Sequence, residues 1–206
     1  RPRDWSSDVC SSDLIWFKWE AYLTWVTGFL LLVVLYYLQA ESYLIDPSVM
    51  PLTQLQAIAI SVASLILGWL LYTALCKSPI GRNTGLLAVC LFVMLLAFAY
   101  GYTQVFSGRG AFIHIGALIG TIMAANVLMI IIPGQRRVIA DLVAGKTPRA
   151  IYGKRGKQRS THNNYLTLPL IFVMLSNHFP LAYATRFSWA ILALVLVMGA
   201  VIRHFY

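Results

Sequence analysis

The stretch FSGRGAFIHIGALIGTIMAANVLMIIIPGQRR, from Phe106 to Arg137, decides the fold of this chain. Its apolar run is long enough to cross a hydrocarbon core about 30 Å thick, which needs about 20 helical residues. His114 lies near one end of the run, and two arginines follow the other end. Ionisable residues within a span usually face the bundle interior or a cavity. The pattern therefore predicts a membrane helix that carries chemistry.

The composition predicts an all-α protein, a polytopic transmembrane helix bundle. Of its 206 residues, 59% are hydrophobic and 11% are charged, whereas soluble domains carry about 25% charged residues. No soluble second domain is expected in residues 15–206, because apolar runs fill them. Six runs predict six spans: Ala21 to Leu38, Leu55 to Cys76, Gly85 to Val105, Ala111 to Ile132, Tyr165 to Phe179 and Ser188 to Phe205.

The distribution of charge predicts the orientation of the bundle. Eight of the sixteen Lys and Arg residues lie between Arg136 and Arg159, with Asp141 as the only acidic residue among them. Basic residues in short loops mark the cytoplasmic side. We therefore expect the 134–164 loop to be cytoplasmic in a bacterial inner membrane, and the loops at Asp46, at Arg109 and after His178 to face outward.

The basic segment GKRGKQR at residues 153–159 also has two binding interpretations, RNA and anionic lipid. A topology determinant that contacts lipid headgroups accounts for it without nucleic acid, because basic juxtamembrane segments are attracted to anionic leaflets. Membrane lipid is therefore the expected partner of this segment.

Both ends of the chain look unnatural. Residues 1–14, RPRDWSSDVCSSDL, are rich in Ser and Asp and lack the apolar centre of a signal peptide. They resemble a translated adapter, so we predict a non-native, disordered segment. The chain ends in RHFY within the last apolar run, as expected of a truncated reading frame.

Polar residues at the predicted outer ends of the spans form the candidate site. Pro180 breaks the fifth run just after Asn177 and His178, and backbone groups freed by such a break must line protein or a wet cavity. Spans four and five run antiparallel, which puts His114 and His178 at similar depth. We predict these two histidines as the catalytic residues.

An anionic planar ligand would need the fork of donors that an arginine provides. Arg109, in the glycine-flanked SGRG turn, lies on the same predicted side. Tyr102, Gln104 and Asn177 are predicted to add hydrogen bonds. Plain structural interpretations remain open for all of these residues: interfacial histidines, a capped helix end and an ordinary loop arginine.

Other polar and small residues are assigned to packing. Gly116, Gly120 and Ala124 form a small-residue stripe that predicts close helix approach. Asn126 is assigned to interhelical contact, and the Asn residues of HNNY to capping of the fifth helix. The three cysteines give no disulfide framework, and no CxxCH motif is present for covalent heme attachment.

Ordered motifs along the chain resemble the membrane-embedded N-terminal domain of the cytochrome c-coupled urate oxidase family. The resemblance covers about residues 15–206 and rests on WFKWEAY, ESYLIDPSV, KSPIGRN, YTQVFSGRGAFIHIGALIGTIMAANV, IIPGQRR, GKRGKQRSTHNNYLTLP and SNHFP.

The resemblance implies an oxidoreductase that converts urate to 5-hydroxyisourate and passes electrons to a C-terminal cytochrome c domain. Urate and that domain are the implied partners, and heme c the implied cofactor outside this chain. The family's leading membrane helices and its cytochrome domain are not found here, so we expect an inactive fragment. The site residues rest on the physical argument alone.

Two other functions stay open. One is a heme b electron-transfer subunit with His114 and His178 as axial ligands from adjacent helices; otherwise no metal site is predicted. The other is a purine transporter, against which the lack of internal repeats counts.

Overall fold

The computed structural model describes the backbone of residues 7–185 and 187–205 and the side chains of residues 14–185 and 187–205. Over these ranges the chain is helical and has no strand, which confirms the all-α bundle. The helices are α1 (Ser7–Leu32), α2 (Ala40–Tyr43), α3 (Gln54–Lys77), α4 (Thr84–Thr103), α5 (Gly108–Ala125), α6 (Ile132–Val143), α7 (Ala150–Leu175), α8 (Pro180–Tyr183) and α9 (Ser188–Phe205).

Five stretches are long and apolar enough to cross a membrane: Leu14–Tyr37, Gln54–Lys77, Thr84–Thr103, Gly108–Val143 and Ser188–Phe205. They correspond to five of the six predicted spans. The remaining run, Tyr165 to Phe179, occupies the second half of α7 and a short 3-10 turn at Ser176–His178. The first half of α7 is strongly polar, so the apolar part of this helix is short.

The prediction of a loop at residues 134–164 is wrong, because most of these residues are helical. The double arginine does not end the fourth helix: a π-helical turn at Asn126–Ile131 joins α5 to α6, which continues to Val143. Charge excludes a residue from the hydrocarbon core but not from a helix. The true connection covers residues 144–149 and includes Gly145, whose φ of +65° suits glycine.

The predicted N-terminal segment 1–14 falls only partly on described residues. Residues 1–6 lie outside them, and residues 7–14 form the first turns of α1. The side chain of Leu14 is buried. The non-native origin of this segment stays a prediction.

The long helix that begins at Gly108 is the centre of the bundle. Half of its most apolar window, 50%, is buried, compared with 11% to 28% for the other candidate spans. Helices α1, α3, α4 and α7 all pack against α5, and α9 packs against α4 and α7. The functional residues on α5 are therefore surrounded by other helices.

Local sequence signals fix the starts of the helices. Thr53 and Gln56 form a reciprocal capping box at α3, and Asn83 accepts the N–H of Leu86 at the start of α4. In the loop before α3, the Ser48 hydroxyl and backbone N–H donate to Asp46 and hold the pKa of its carboxyl below the usual range. These turns set where each span enters the bundle.

Close contact between α7 and α9 depends on a glycine. A Cβ atom added at Gly199 would lie 2.6 Å from both Cδ and Cγ of Pro169, which is buried within α7. The proline ring is stiff, so the two helices would have to separate.

We expect Gly199→Ala to lower the free energy of unfolding by about 1–3 kcal/mol, the usual cost of overpacking. Thermal or denaturant unfolding of the detergent-solubilised protein measures the change. Gly101→Ala is the matched control, since no atom lies within 4 Å of its added Cβ. Equal stability of the two variants would contradict this packing.

Candidate functional site

A cavity of about 1080 Å³ lies between α1, α5 and α7. Pockets that bury drug-sized ligands measure about 300–1,000 Å³, so this one is ample for a bicyclic ring. Its polar residues at the N-terminal end of α5 are Tyr36, Tyr43, Arg109, Asn177 and His178. Its middle is apolar, and its far end includes Trp25, Thr121 and Asn163.

The small-residue stripe of α5 does not form one uniform helix contact, because part of it lines this cavity. A Cβ at Gly116 would meet the Met174 side chain of α7, so this glycine does permit close packing as predicted. Gly120 has no neighbour within 4 Å of an added Cβ, and it faces the cavity together with Ala124. The prediction of close packing is therefore wrong at Gly120, which widens the cavity.

Arg109 provides the positive charge at the polar end. Its guanidinium carbon lies 5.7 Å from the ring centroids of both Tyr43 and Tyr183. Its Nη2 donates to the Tyr183 hydroxyl at 3.2 Å. An arginine has five N–H donors, so the aromatic contacts fix the guanidinium while other donors remain for a ligand.

Asn177 and His178 bring polar groups from the end of α7 to the same cavity wall. The Tyr36 hydroxyl donates to Asn177 Oδ1 at 3.1 Å, which leaves the amide NH₂ of Asn177 as a donor. His178 is exposed on the wall. The structure thus brings together three of the predicted residues, Arg109, Asn177 and His178.

His114 lies beside this end of the cavity but does not line it. The side chain is fully buried, and both ring nitrogens are hydrogen bonded: Nδ1 to Gly110 O at 2.7 Å and Nε2 to Ser61 Oγ at 2.6 Å. Because a carbonyl only accepts, Nδ1 carries the proton. Ser61 therefore donates to Nε2 and accepts from the Tyr37 hydroxyl at 2.6 Å.

Tyr102 and Gln104, predicted as binding residues, lie outside the cavity lining. Tyr102 is buried, bonds to Ser64 Oγ at 2.8 Å and packs against His114, with ring centroids 5.6 Å apart. Gln104 is exposed where α4 ends. Tyr102 belongs with His114 in a buried polar cluster, whereas Gln104 Nε2 donates to the neighbouring Thr103 Oγ1 at 3.4 Å.

His114 and His178 lie at the same end of the bundle, but in different surroundings. Axial ligation of a heme needs a free nitrogen lone pair on each histidine, and the Ser61 hydroxyl takes that of His114. The arrangement does not fit a heme b held by this pair. Among the side chains of residues 14–185 and 187–205, no group of three His, Cys, Asp or Glu residues could hold a metal ion.

A second polar cluster, at the opposite end of α5, was not predicted as a site. Asn126 Nδ2 donates to the Tyr72 hydroxyl at 2.8 Å and to Asn163 Oδ1 at 2.9 Å. Tyr72 bonds to His162 Nδ1 at 2.8 Å, and the Arg159 guanidinium carbon lies 4.6 Å from the Tyr72 ring centroid. Interhelical contact by Asn126 is confirmed.

Capping by Asn163 is wrong, because α7 begins at Ala150 and places this residue in the middle of a helix. Its amide instead reaches across to α5. The available signal was the run of polar residues at helical spacing before Tyr165, which indicates that the helix extends further toward the N-terminus. Tyr36 and Tyr43 gave no such signal, because tyrosines are ordinary at helix ends.

A family model described as "Urate oxidase N-terminal" matches residues 6–206. The chain belongs to this family. The match covers every described helix and includes residues 6–14 of the segment that we predicted to be non-native. No curated protein and no solved structure matches the chain.

In this urate oxidase family member, Ser61 links two buried groups that would otherwise lack partners. Removing its hydroxyl in Ser61→Ala leaves His114 Nε2 and the Tyr37 hydroxyl without that bond. We expect a loss of about 1–3 kcal/mol in the free energy of unfolding, measured by thermal unfolding in detergent. Ser160→Ala, on the exposed face of α7, is the control. An unchanged unfolding temperature for Ser61→Ala would refute the assigned network.

Proposed function

We propose that this chain forms the membrane domain of an oxidoreductase that oxidises urate to 5-hydroxyisourate and passes the electrons to a cytochrome c domain. Membership of the urate oxidase family over residues 6–206 supports a urate-related function. The single structural observation that carries the proposal is Arg109 at the polar end of a large cavity.

Urate fits the chemistry of this end of the cavity. It is a planar monoanion at neutral pH, with carbonyl and N–H groups on its edges. The free donors of Arg109 suit a carbonyl edge of the anion, and the Asn177 amide adds a further donor. Tyr36 and Tyr43 supply aromatic surface for the bicyclic ring.

The reaction releases a proton that the site must accept. The urate monoanion and water give neutral 5-hydroxyisourate with the loss of two electrons and one proton. The exposed imidazole of His178 on the cavity wall is the group assigned to take a proton from urate or from the attacking water. His114 acts as a positioning residue, because it holds the start of α5 through Ser61 and Gly110 without touching the cavity.

Heme c in the acceptor domain would accept the electrons from urate one at a time. This chain has no CxxCH motif to attach that heme, so the acceptor must approach the cavity from outside the described bundle. The residues of the chain bind and orient urate and accept its proton.

The proposed site faces the outer side of a bacterial inner membrane. The basic residues of α6 and of the first half of α7 lie at the opposite end of the bundle, and such residues favour the cytoplasm. In a background without native cysteines, a thiol at Gln104 should react with an impermeant reagent in intact cells. A thiol at Lys154 should react only after permeabilisation. The reverse pattern would invert the assignment.

Arg109→Lys tests substrate binding. Lysine keeps the charge but loses the planar fork, so we expect KM for urate to rise about tenfold or more, the equivalent of one charge-assisted hydrogen bond. Urate-dependent reduction of cytochrome c by membranes that contain the full-length protein, with its cytochrome c domain, measures KM and kcat. The control Arg203→Lys changes an exposed arginine at the end of α9. A normal KM in Arg109→Lys would contradict the proposed binding mode.

His178→Gln tests proton acceptance. A positioned general base contributes about 10²–10⁴-fold to a rate, so kcat should fall by about 100-fold or more in the same assay. His204→Gln should have little effect, because His204 lies at the far end of α9, where Tyr165 bonds to it at 3.3 Å. Near-normal kcat in His178→Gln, with the protein correctly inserted, would remove this residue from the mechanism.

A further inference from the structure

Arg159 is a buried cation that makes no salt bridge with the described residues. It lies in the basic part of α7, only 3% of its surface is exposed, and it packs against the face of the Tyr72 ring. Its Nη1 is buried and has no hydrogen-bond partner among the described side chains and backbone. A guanidinium stays ionised in proteins, and a buried charge is costly unless it is paired.

The hydrogen bonds beside Arg159 have a fixed direction. The carbonyl of Met123 can only accept, so Asn163 donates to it through Nδ2, at 3.0 Å. Asn163 Oδ1 must then accept from Asn126 Nδ2, which also donates to the Tyr72 hydroxyl. The Tyr72 hydroxyl keeps a proton of its own, and His162 Nδ1 is the acceptor within reach at 2.8 Å, so we assign Tyr72 as the donor of this bond.

These hydrogen-bond directions leave the Nε2–H group of His162 as a second donor near Arg159. Since Nδ1 of His162 accepts a proton from Tyr72, its Nε2 carries an N–H. Arg159 and His162 are three residues apart and therefore share one face of α7. Both contact the Tyr72 ring, with the His162 centroid at 5.8 Å and the Arg159 guanidinium carbon at 4.6 Å. The cluster thus contains two donors, Arg159 Nη1 and His162 Nε2, on neighbouring residues of one face of α7.

The surroundings of the cluster favour an anion. Between Arg136 and Arg159 the chain has eight basic residues and one acidic residue, and all of them are described. Such a surface raises the local concentration of anions. A planar guanidinium matches two oxygens of a phosphate group, and basic pockets between membrane helices are common binding places for phospholipid headgroups.

We propose that Arg159 and His162 bind a phosphate group at the inner end of the bundle, between α3 and α7. The group belongs to an anionic phospholipid headgroup or to free inorganic phosphate, which share the same chemistry. The proposal does not depend on urate oxidation, because the cluster lies at the opposite end of α5 from Arg109.

Thermal unfolding of the purified chain tests the proposal, because a ligand that binds only the folded state raises the unfolding temperature. One arm titrates inorganic phosphate into delipidated protein in a phosphate-free detergent, at constant ionic strength. The other arm compares nanodiscs of phosphatidylcholine with nanodiscs that also contain phosphatidylglycerol. A rise with inorganic phosphate identifies a site for the free ion, and a rise with phosphatidylglycerol alone identifies a headgroup site.

Variants separate this site from general electrostatic attraction. Arg159→Gln should abolish the rise, whereas Arg155→Gln, which removes the same charge from an exposed position on α7, should keep it. No rise in the native protein in either arm would overturn the proposal. An equal rise in Arg159→Gln would do the same.

His162→Phe keeps a ring in the cluster but removes the Nε2 donor, so it remains informative if Arg159→Gln does not fold. We expect it to weaken phosphate binding about tenfold, since one hydrogen bond to a charged group is lost. Broadening of the phosphate signal in ³¹P NMR provides a second readout. Unchanged affinity in His162→Phe would remove His162 from the site.

Discussion

Two hydrogen bonds from Ser107 fix where α5 begins, and the candidate site depends on that position. The backbone N–H of Ser107 donates to Leu44 O at 2.9 Å, and its hydroxyl donates to Tyr43 O at 2.6 Å. The same hydroxyl accepts the N–H of Gly110 and caps the helix. Each such bond contributes about 0.5–1.5 kcal/mol to stability. As a result Arg109 lies beside Tyr43.

The two polar ends of α5 differ in how completely their buried polar atoms are hydrogen bonded. At the end near Ser107, His114, Ser61 and Tyr37 form a complete donor and acceptor series, which explains how a histidine can be fully buried without a metal or a charge. At the other end, Arg159 Nη1 and Asn126 Oδ1 remain without recorded partners in the described part of the chain. The hydrogen bonds of the first cluster are therefore complete among the described residues, whereas the second cluster keeps two buried polar atoms without a partner.

The sequence predicts the helical bundle well because its signals are local. The apolar runs and the place of His114 within one of them each follow from neighbouring residues. The partners of His114 could not be predicted in this way, since Ser61 lies 53 positions away and a serine in an apolar helix has no distinctive pattern. The basic segment is mostly helical rather than the loop that its charge predicts, because charged residues end a membrane span but a helix can continue beyond the membrane.

Both arginines that carry proposals are held in the same way. Arg109 rests on Tyr43 and Tyr183, and Arg159 rests on Tyr72. A carboxylate would position a guanidinium equally well but would cancel its charge, whereas an aromatic face positions it and leaves the charge for an anion. The two sites differ in access. Arg109 opens onto a large cavity, which suits a substrate that must enter and leave, while the burial of Arg159 suits a group that stays bound.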